Sequence, residues 1–283
     1  MTIPISVLIL TYNEELNIEK CLRSVHGWAD EIFIVDSYST DKTLEIAKEY
    51  TDKICQHAFE TQARQIKWSQ DSLPVSNEWI LRLDADERLP KEIKEEIEAV
   101  LPKLDKDISG IYLNLRVHFM GRWIRYGGHY PFLLLRLWRK EHGSIEDRFM
   151  DERIIVNGKT ITLQHDFIED DRKDLTIWIN KQNNYSSREV KQLLFHNSEG
   201  KQISVKASLF GNKIQRKRWL KDDMYAMLPI FLRAFLYFIY RYFFRLGFLD
   251  GKEGLIFHFL QGFWYRFLVD AKIYEYKRLK KLD

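Results

Sequence analysis

The sequence predicts an α/β fold, a mostly parallel sheet with flanking helices, followed by an amphipathic helical region. Two observations carry this. Over residues 1–90, short apolar runs alternate with segments of helical spacing, the pattern of strands buried on both faces and linked by helices. After residue 200 the composition turns basic and aromatic.

The elements follow in order. "ISVLIL" (5–10) is a continuous apolar run, as expected of a doubly covered strand. In "EELNIEKCLRSV" (14–25), Leu16, Ile18, Cys21, Leu22 and Val25 share one helical face. "EIFIVD" (31–36) is a second strand and "TDKTLEIAKEY" (40–50) a second helix, with Thr40 or Asp41 as N-cap. A helical stretch at 61–72 precedes a third strand, "EWILRLD" (78–84). Further strands are expected at 110–120 and 132–140, with the Gly- and aromatic-rich loop "GRWIRYGGHYP" between them. "RIIVNGKTITL" (153–163) has the pattern of a hairpin turning at Asn157–Gly158. From about residue 172 the chain is expected to be helical. Residues 1–200 are thus assigned to a catalytic domain and 201–283 to a basic, aromatic helical region.

Composition excludes several classes. The 283 residues are 45% hydrophobic and 30% charged, values of a folded chain. Cys21 and Cys55 make neither a disulfide framework nor a metal cluster, so a reducing cytosol is expected. The N-terminal stretch lacks the basic flank and cleavage site of a signal peptide. The net charge of +3 conceals a split. Residues 201–283 hold 17 Lys and Arg against 7 Asp and Glu, whereas residues 1–200 hold 27 against 34.

Ligands of open α/β sheets bind at the carboxyl ends of strands. Here those ends read "TYNEE", "DSYSTDKT" and "DADE". Carboxylates at a strand tip are costly unless a ligand or ion neutralises them. An EF-hand starting at Asp84 fails, because Arg88 and Leu89 fall where an oxygen ligand and a glycine belong. A hard cation, Mg²⁺ or Mn²⁺, held by carboxylates and substrate phosphates fits better.

The ordered set "LTYNEE…VDSYSTDKT…LRLDADE" resembles family 2 glycosyltransferases of the GT-A fold over about residues 3–170. "ITLQHDFIEDDRKDLTIWINKQNNYSSRE" and "GFLDGKEGL" further resemble the branch that includes lipopolysaccharide-core β-glucosyltransferases. The resemblance implies an inverting enzyme. It would move a sugar from a nucleotide-sugar, UDP-linked in the first instance, to a lipid-linked glycan in cell-envelope polysaccharide or lipopolysaccharide synthesis. It also implies residue roles. Thr11, Asn13 and Glu14 would lie near the base and ribose, Asp36 would bind one of them with Ser37 and Ser39 nearby, and Arg64 would lie near the nucleotide. Asp84 and Asp86 match the DxD motif, with Asp84 toward the ribose and Asp86 on the metal. His165 would be a third metal ligand or a diphosphate contact.

Displacement at an anomeric carbon needs a base for the acceptor hydroxyl. By the family layout, "MDE" before "RIIVNGKTITLQH" makes Glu152 the first choice and Asp151 the second, although Asp151 stands where the pattern has His. Glu146 and Asp147 match the "ED" pair of other members, so both clusters stay open. Trp123, Tyr126 and Tyr130 offer flat faces for acceptor sugars, and Gly127 and Gly128 permit close approach.

In "MYAMLPIFLRAFLYFIYRYFFRL" (224–246) charges break the apolar run that a membrane span needs, leaving a spanning helix only as an alternative. At about 100° per residue, Arg233, Arg241 and Arg245 share one arc, as do His258, Gln261 and Arg266. Such helices with basic flanks are expected to lie on an anionic bilayer. Residues 215–281 would then make a peripheral contact at the inner face of the cell membrane, with homodimerisation as the competing use of the same faces. No nucleic-acid motif is present. A non-catalytic nucleotide- or glycan-binding subunit is the alternative to an enzyme. A nucleotidyltransferase is disfavoured, because "TYNEELN" has neither the glycine nor the lysine of a phosphate loop.

Overall fold

A computed structural model describes residues 2–146, 152–195 and 227–280. The chain divides into two compact units: Met1–Ile124 with Tyr130–Lys173, and Arg125–His129 with Asp174–Asp283. The expected boundary at residue 200 lies outside the described residues. The division falls instead after Lys173, and the short segment 125–129 goes with the helical unit.

The strands of the first unit are β1 (Ile3–Thr11), β2 (Ala29–Asp36), β3 (Ile54–Gln56), β4 (Trp79–Asp84), β5 (Glu87–Arg88), β6 (Ile108–Phe119), β7 (Arg122–Trp123), β8 (Phe132–Arg139), β9 (Gly143–Ile145), β10 (Ile154–Val156) and β11 (Lys159–Asp170). Nine of them form one sheet in the order β3-β2-β1-β4-β8-β6-β11-β5, with β7 paired to β6. β3, β2, β1 and β4 run parallel, as the alternation predicts. Their crossovers are α1 (Ile18–Val25), α2 (Thr43–Lys48) and α3 (Gln62–Ser72), and α4 (Lys91–Val100) follows β5. On α1, Ile18, Cys21, Leu22 and Val25 are buried as the spacing requires, whereas Leu16 stays exposed. Val7 and Ile9 of β1 join that face, while Leu8 turns to a second core with Phe33, Ile66 and Trp138. Both sheet faces are thus covered, which explains the uninterrupted apolar runs. The N-cap of α2 is Lys42 rather than Thr40 or Asp41, although Asp41 Oδ1 accepts the Thr43 N–H at 3.0 Å.

The expected hairpin at 153–163 does not form. β10 pairs antiparallel with β9 in a separate two-stranded sheet. β11 instead runs parallel to β6 in the main sheet. Asn157–Gly158 is the point where the chain changes sheets, and Gly158 takes φ 143° with no room for a side chain beside Ser109.

The second unit contains α5 (Leu175–Phe195), α6 (Leu232–Ile239), α7 (Gly251–Phe257) and α8 (Tyr265–Leu279), with π-helical segments at Tyr240–Phe244 and His258–Trp264. Val190, Tyr265, Val269 and Ile273 form its small core. Most residues of the expected polar arcs point inward, but Arg245 is exposed. Arg233 is buried against Asp270, its Nε 2.8 Å from Oδ1. Arg241 is buried, donating to the Gly127 carbonyl at 2.9 Å and to Gln261 Oε1 at 3.2 Å. His258 is fully buried, and Arg266 pairs with Glu189 at 2.9 Å. The aromatic faces are left outside: Phe235, Phe243 and Phe244 are 50%, 52% and 75% exposed. Among the described residues, no helix is long and apolar enough to cross a membrane.

Candidate active site

The parallel register brings three strand ends to one level. Thr11 stands opposite Asp36, and Leu10 opposite both Val35 and Asp84. The edge therefore carries the Thr11–Asp36 pair with Asp84 one residue back on β4, at the carboxyl ends where the sequence predicts a ligand-binding edge. Thr11 Oγ1 is buried without a hydrogen-bond partner. Such an orphaned hydroxyl is unusual in a folded interior and marks a place for a ligand atom.

Around Asp36 the loops are held by one another. Asp36 is fully buried, and its carboxylate accepts from Ser39 N at 2.9 Å, from Ser39 Oγ and from Gln56 Nε2 at 3.0 Å. Ser39 Oγ in turn accepts the Asn13 N–H at 2.8 Å, and Asn13 Oδ1 accepts the Thr40 N–H at 2.8 Å. Asn13 has φ 51°, a left-handed conformation that asparagine tolerates better than most residues. The structure thus joins Thr11, Asn13, Asp36 and Ser39 in one wall. Arg64 lies on the first turn of α3, its backbone N–H capped by Thr61 and its exposed guanidinium paired with Glu60.

The DxD region shows why so many carboxylates are tolerated. Asp84 accepts from Arg82 Nη2 at 3.0 Å and from Arg136 Nη2 at 3.3 Å. Glu87 is buried, pairs with Arg136 and accepts the Asp84 N–H at 2.9 Å. Burial, together with Asp84 and Asp86, raises the Glu87 carboxyl to about 8 against the opposing charge of Arg136. Asp86 is half-buried beside Glu14, whose carboxyl is raised by burial and by the Asp86 charge. Lys173 Nζ lies 2.5 Å from Glu14 Oε1. Asn17 bridges Glu14 Oε2 at 2.7 Å and Asp171 Oδ1 at 2.9 Å, tying the chain after β11 to the start of α1. Arg82, Glu87, Arg136 and Lys173 were not among the expected site residues. Arginines inside "WILRLD" and "LLLRLW" were the available signal, since a cation in a buried strand requires a partner.

His165 is not brought to this cluster. Its Nδ1 lies 2.8 Å from Glu96 Oε2 on α4, and its backbone N–H donates to the same oxygen at 2.9 Å. It is Asp170 whose N–H meets the Asp86 carbonyl, at 2.9 Å. His165 lies five residues earlier on β11, and a strand rises ~3.3 Å per residue.

For the base, Glu146 follows β9 and Glu152 precedes β10 on the small sheet, the Glu146 N–H donating to the Arg153 carbonyl at 3.0 Å. Glu146 is fully buried and Glu152 partly exposed. Asp147 and Asp151 lie outside the described residues. Of the aromatic candidates, Trp123 and Tyr130 meet edge to face at 5.1 Å in the first unit, while Tyr126 belongs to the second.

Among the described residues, no three His, Cys, Asp or Glu side chains are grouped to hold a metal alone. The donor set fits a hard cation that completes its shell with substrate phosphates, since Asp86 offers carboxylate oxygen beside further carboxylates.

Comparison with known proteins agrees with this geometry. The Glycosyl transferase family 2 profile matches residues 6–168. An uncharacterized glycosyltransferase of Rickettsia typhi is 30% identical over 96% of this chain and 87% of its own length. The lipopolysaccharide core biosynthesis glycosyltransferase LpsC of Rhizobium meliloti is 28% identical over 98% of this chain and 94% of its own. The fold matches mannosyltransferase PcManGT of Pyrobaculum calidifontis, solved with GDP-Man and Mn²⁺, at a TM-score of 0.56 and 14% identity over 96% of this chain and 87% of that one. The chain belongs to glycosyl transferase family 2.

Proposed function

We propose that this glycosyltransferase takes a sugar from a nucleotide-sugar, UDP-linked in the first instance, and transfers it with inversion to a lipid-linked glycan of the cell envelope. The observation that carries the donor half is the shared strand edge, with Thr11 opposite Asp36, Asp84 one residue back opposite Leu10, and the Thr11 hydroxyl unpartnered. Thr11, Asn13, Asp36 and Ser39 form the wall for base and ribose. Asp84, fixed by Arg82 and Arg136, faces the ribose side.

Asp86 holds Mg²⁺ or Mn²⁺ together with the donor diphosphate. A bound divalent ion supplies charge neutralisation on the departing diphosphate. Glu152 takes the proton from the acceptor hydroxyl as the new glycosidic bond forms and the bond to the diphosphate breaks. Asp151 is the second choice, Glu146, which is buried, and Asp147 are the competing pair, and His165, bonded to Glu96, takes no part in holding the ion.

The acceptor half rests on the second unit and on the similarity to LpsC. Helices that bury Arg233 and Arg241 and expose phenylalanines invert the usual arrangement of a water-exposed surface. With the balance of +10 after residue 200, those faces suit an anionic bilayer at the inner side of the cell membrane. The enzyme would meet a lipid-anchored glycan there.

The direct experiment is a scan of nucleotide-sugars with purified protein and Mg²⁺ or Mn²⁺, following release of nucleoside diphosphate. Turnover of one donor class, abolished by EDTA, is the expected result. Metal-dependent nucleotide binding without turnover of any donor, with or without lipid-linked acceptors, would favour a non-catalytic binding subunit.

A further inference from the structure

One face of the main sheet carries a polar constellation that the donor site does not use. Arg116 on β6 places its Nε 2.6 Å from Asp166 Oδ2 on β11. The Asp166 side chain is 3% exposed and that of Arg116 is 40% exposed, so the carboxylate is the buried brace and the guanidinium the accessible end. Tyr130 also donates to the brace, its hydroxyl 3.0 Å from Asp166 Oδ2 and 3.2 Å from Oδ1. The guanidinium also lies 4.9 Å from the centre of the Trp123 ring, which Tyr130 meets edge-on.

These contacts fix Arg116 in position and plane while using only one of its nitrogens. Nη1 and Nη2 make no hydrogen bond among the described residues. An arginine with its Nε tied to a buried carboxylate and its face on an indole is pre-organised, so little side-chain freedom is lost when the remaining donors bind. The planar pair of Nη groups matches two oxygens of a carboxylate or phosphate. A second observation points to the same place. Asn114 stands directly opposite Asp166 in the β6–β11 register, and its Oδ1 is buried with no hydrogen-bond partner. That oxygen suits a hydroxyl next to the anion.

The location argues for the acceptor. Alternation along β6 puts Tyr112, Asn114 and Arg116 on one face. Tyr112 there packs into the same core as Ile145 and Ile154 of the small sheet, next in sequence to Glu146 and near Glu152, so this face is the one turned to the candidate bases. The donor wall lies on other strands, at the ends of β1, β2 and β4.

We propose that Arg116, braced by Asp166 and Trp123, receives an oxyanion carried by the acceptor glycan, a carboxylate or phosphate substituent, with Asn114 accepting from a neighbouring hydroxyl. The inference rests on the glycosyl-transfer reading above and gives it an acceptor class: an acidic glycan.

The test uses the purified full chain and isothermal titration calorimetry. UDP with Mg²⁺ is titrated first. Methyl glucuronide and inorganic phosphate, as carboxylate and phosphate probes, are then titrated in the presence of saturating UDP and Mg²⁺, with methyl glucoside as the neutral control. Methyl glucuronide is expected to bind alongside UDP and more tightly than the glucoside. Arg116→Gln should weaken it by about tenfold or more, the loss of a charge-assisted bidentate contact. Arg116→Lys keeps the charge but not the fork, and should recover only part of the affinity. It also serves if Arg116→Gln fails to fold, because its buried Asp166 keeps a cation. Unchanged binding in both variants, no binding of either anion to the natural protein, or displacement of the anion by UDP would each overturn the acceptor subsite. Failure of UDP to bind, with Arg116-dependent anion binding intact, would count against the donor reading and not against this one.

Discussion

Lys173 Nζ sits 2.5 Å from Glu14 Oε1, in a pair whose side chains are each 12% exposed. The pair lies next to Asp86, whose charge is one of the causes that raise the Glu14 carboxyl. A cation placed there balances the acidic edge, and in the proposed donor site it would face the diphosphate. Lys173→Met should therefore weaken UDP binding by about tenfold, the scale of a charge-assisted phosphate contact. Uridine, which lacks phosphate, should bind both proteins equally. Calorimetry with the two ligands checks this, and an equal loss for both would make Lys173 a structural residue only.

Glu152→Gln keeps the side chain's shape and removes its proton acceptor. Transfer should fall by roughly 10²–10⁴-fold while UDP affinity is unchanged. Glu146→Gln is the control on the other acidic cluster. Loss of transfer in Glu146→Gln with Glu152→Gln unaffected would move the base to the buried carboxylate.

Glu31 predicts a pH-dependent stability. Burial alone would raise its carboxyl, but hydrogen bonds from Lys53, Ser6 and Ser76 outweigh that and lower it to about 2. Ser6 Oγ lies 2.5 Å from its Oε2 and Ser76 N 3.0 Å from the same oxygen. A carboxyl lowered on folding stabilises the folded state above its unfolded value of about 4.5, and that stability is lost as pH falls from there toward about 2. Glu31→Gln should therefore cost about 2 kcal/mol at pH 7, after discounting for the exposed Lys53. The cost should shrink progressively below pH 4.5. Urea melts of both proteins across pH 3–7 measure it, and a cost independent of pH would assign the effect to packing.

The helical unit predicts liposome binding that salt weakens without abolishing, because the phenylalanine faces are not screened. Phe244 is 75% exposed and makes the sharpest probe. Flotation with anionic liposomes should drop strongly for Phe243→Glu/Phe244→Glu, with UDP binding intact. No flotation of the natural protein at low salt, together with a dimer that the double variant dissociates, would assign these faces to a second copy of the chain.

Much of the polar strand edge was legible because its signals are local. An apolar run ending in Asp36 or Asp84 states both the strand and its tip, and parallel pairing aligns those tips. Partners set by tertiary pairing were not legible. Asn157–Gly158 between two apolar runs has the pattern of a hairpin turn, yet β11 finds more burial beside β6 than β10 offers, with Leu163 and Phe167 entering the main core. His165 matches a motif by order, but its strand register places it on Glu96. In the helical unit, periodicity shows the arcs of Arg233–Arg241 and His258–Gln261 but not their direction. The direction is set by Asp270 and by the Gly127 carbonyl, whose positions relative to the arcs no local pattern reveals.

The central claim is that Asp86 and a divalent ion together hold a nucleotide diphosphate at the Thr11–Asp36–Asp84 edge. Calorimetric titration of UDP into the natural protein and Asp86→Ala, each with Mn²⁺ and with EDTA, tests it most directly. The account predicts tight binding only for the natural protein with Mn²⁺, a loss of several kcal/mol on removing either the ion or the carboxylate, and no further loss on removing both. Equal affinity for the natural protein and Asp86→Ala in Mn²⁺, with Asp86→Ala folded as judged by its melting temperature, would contradict it.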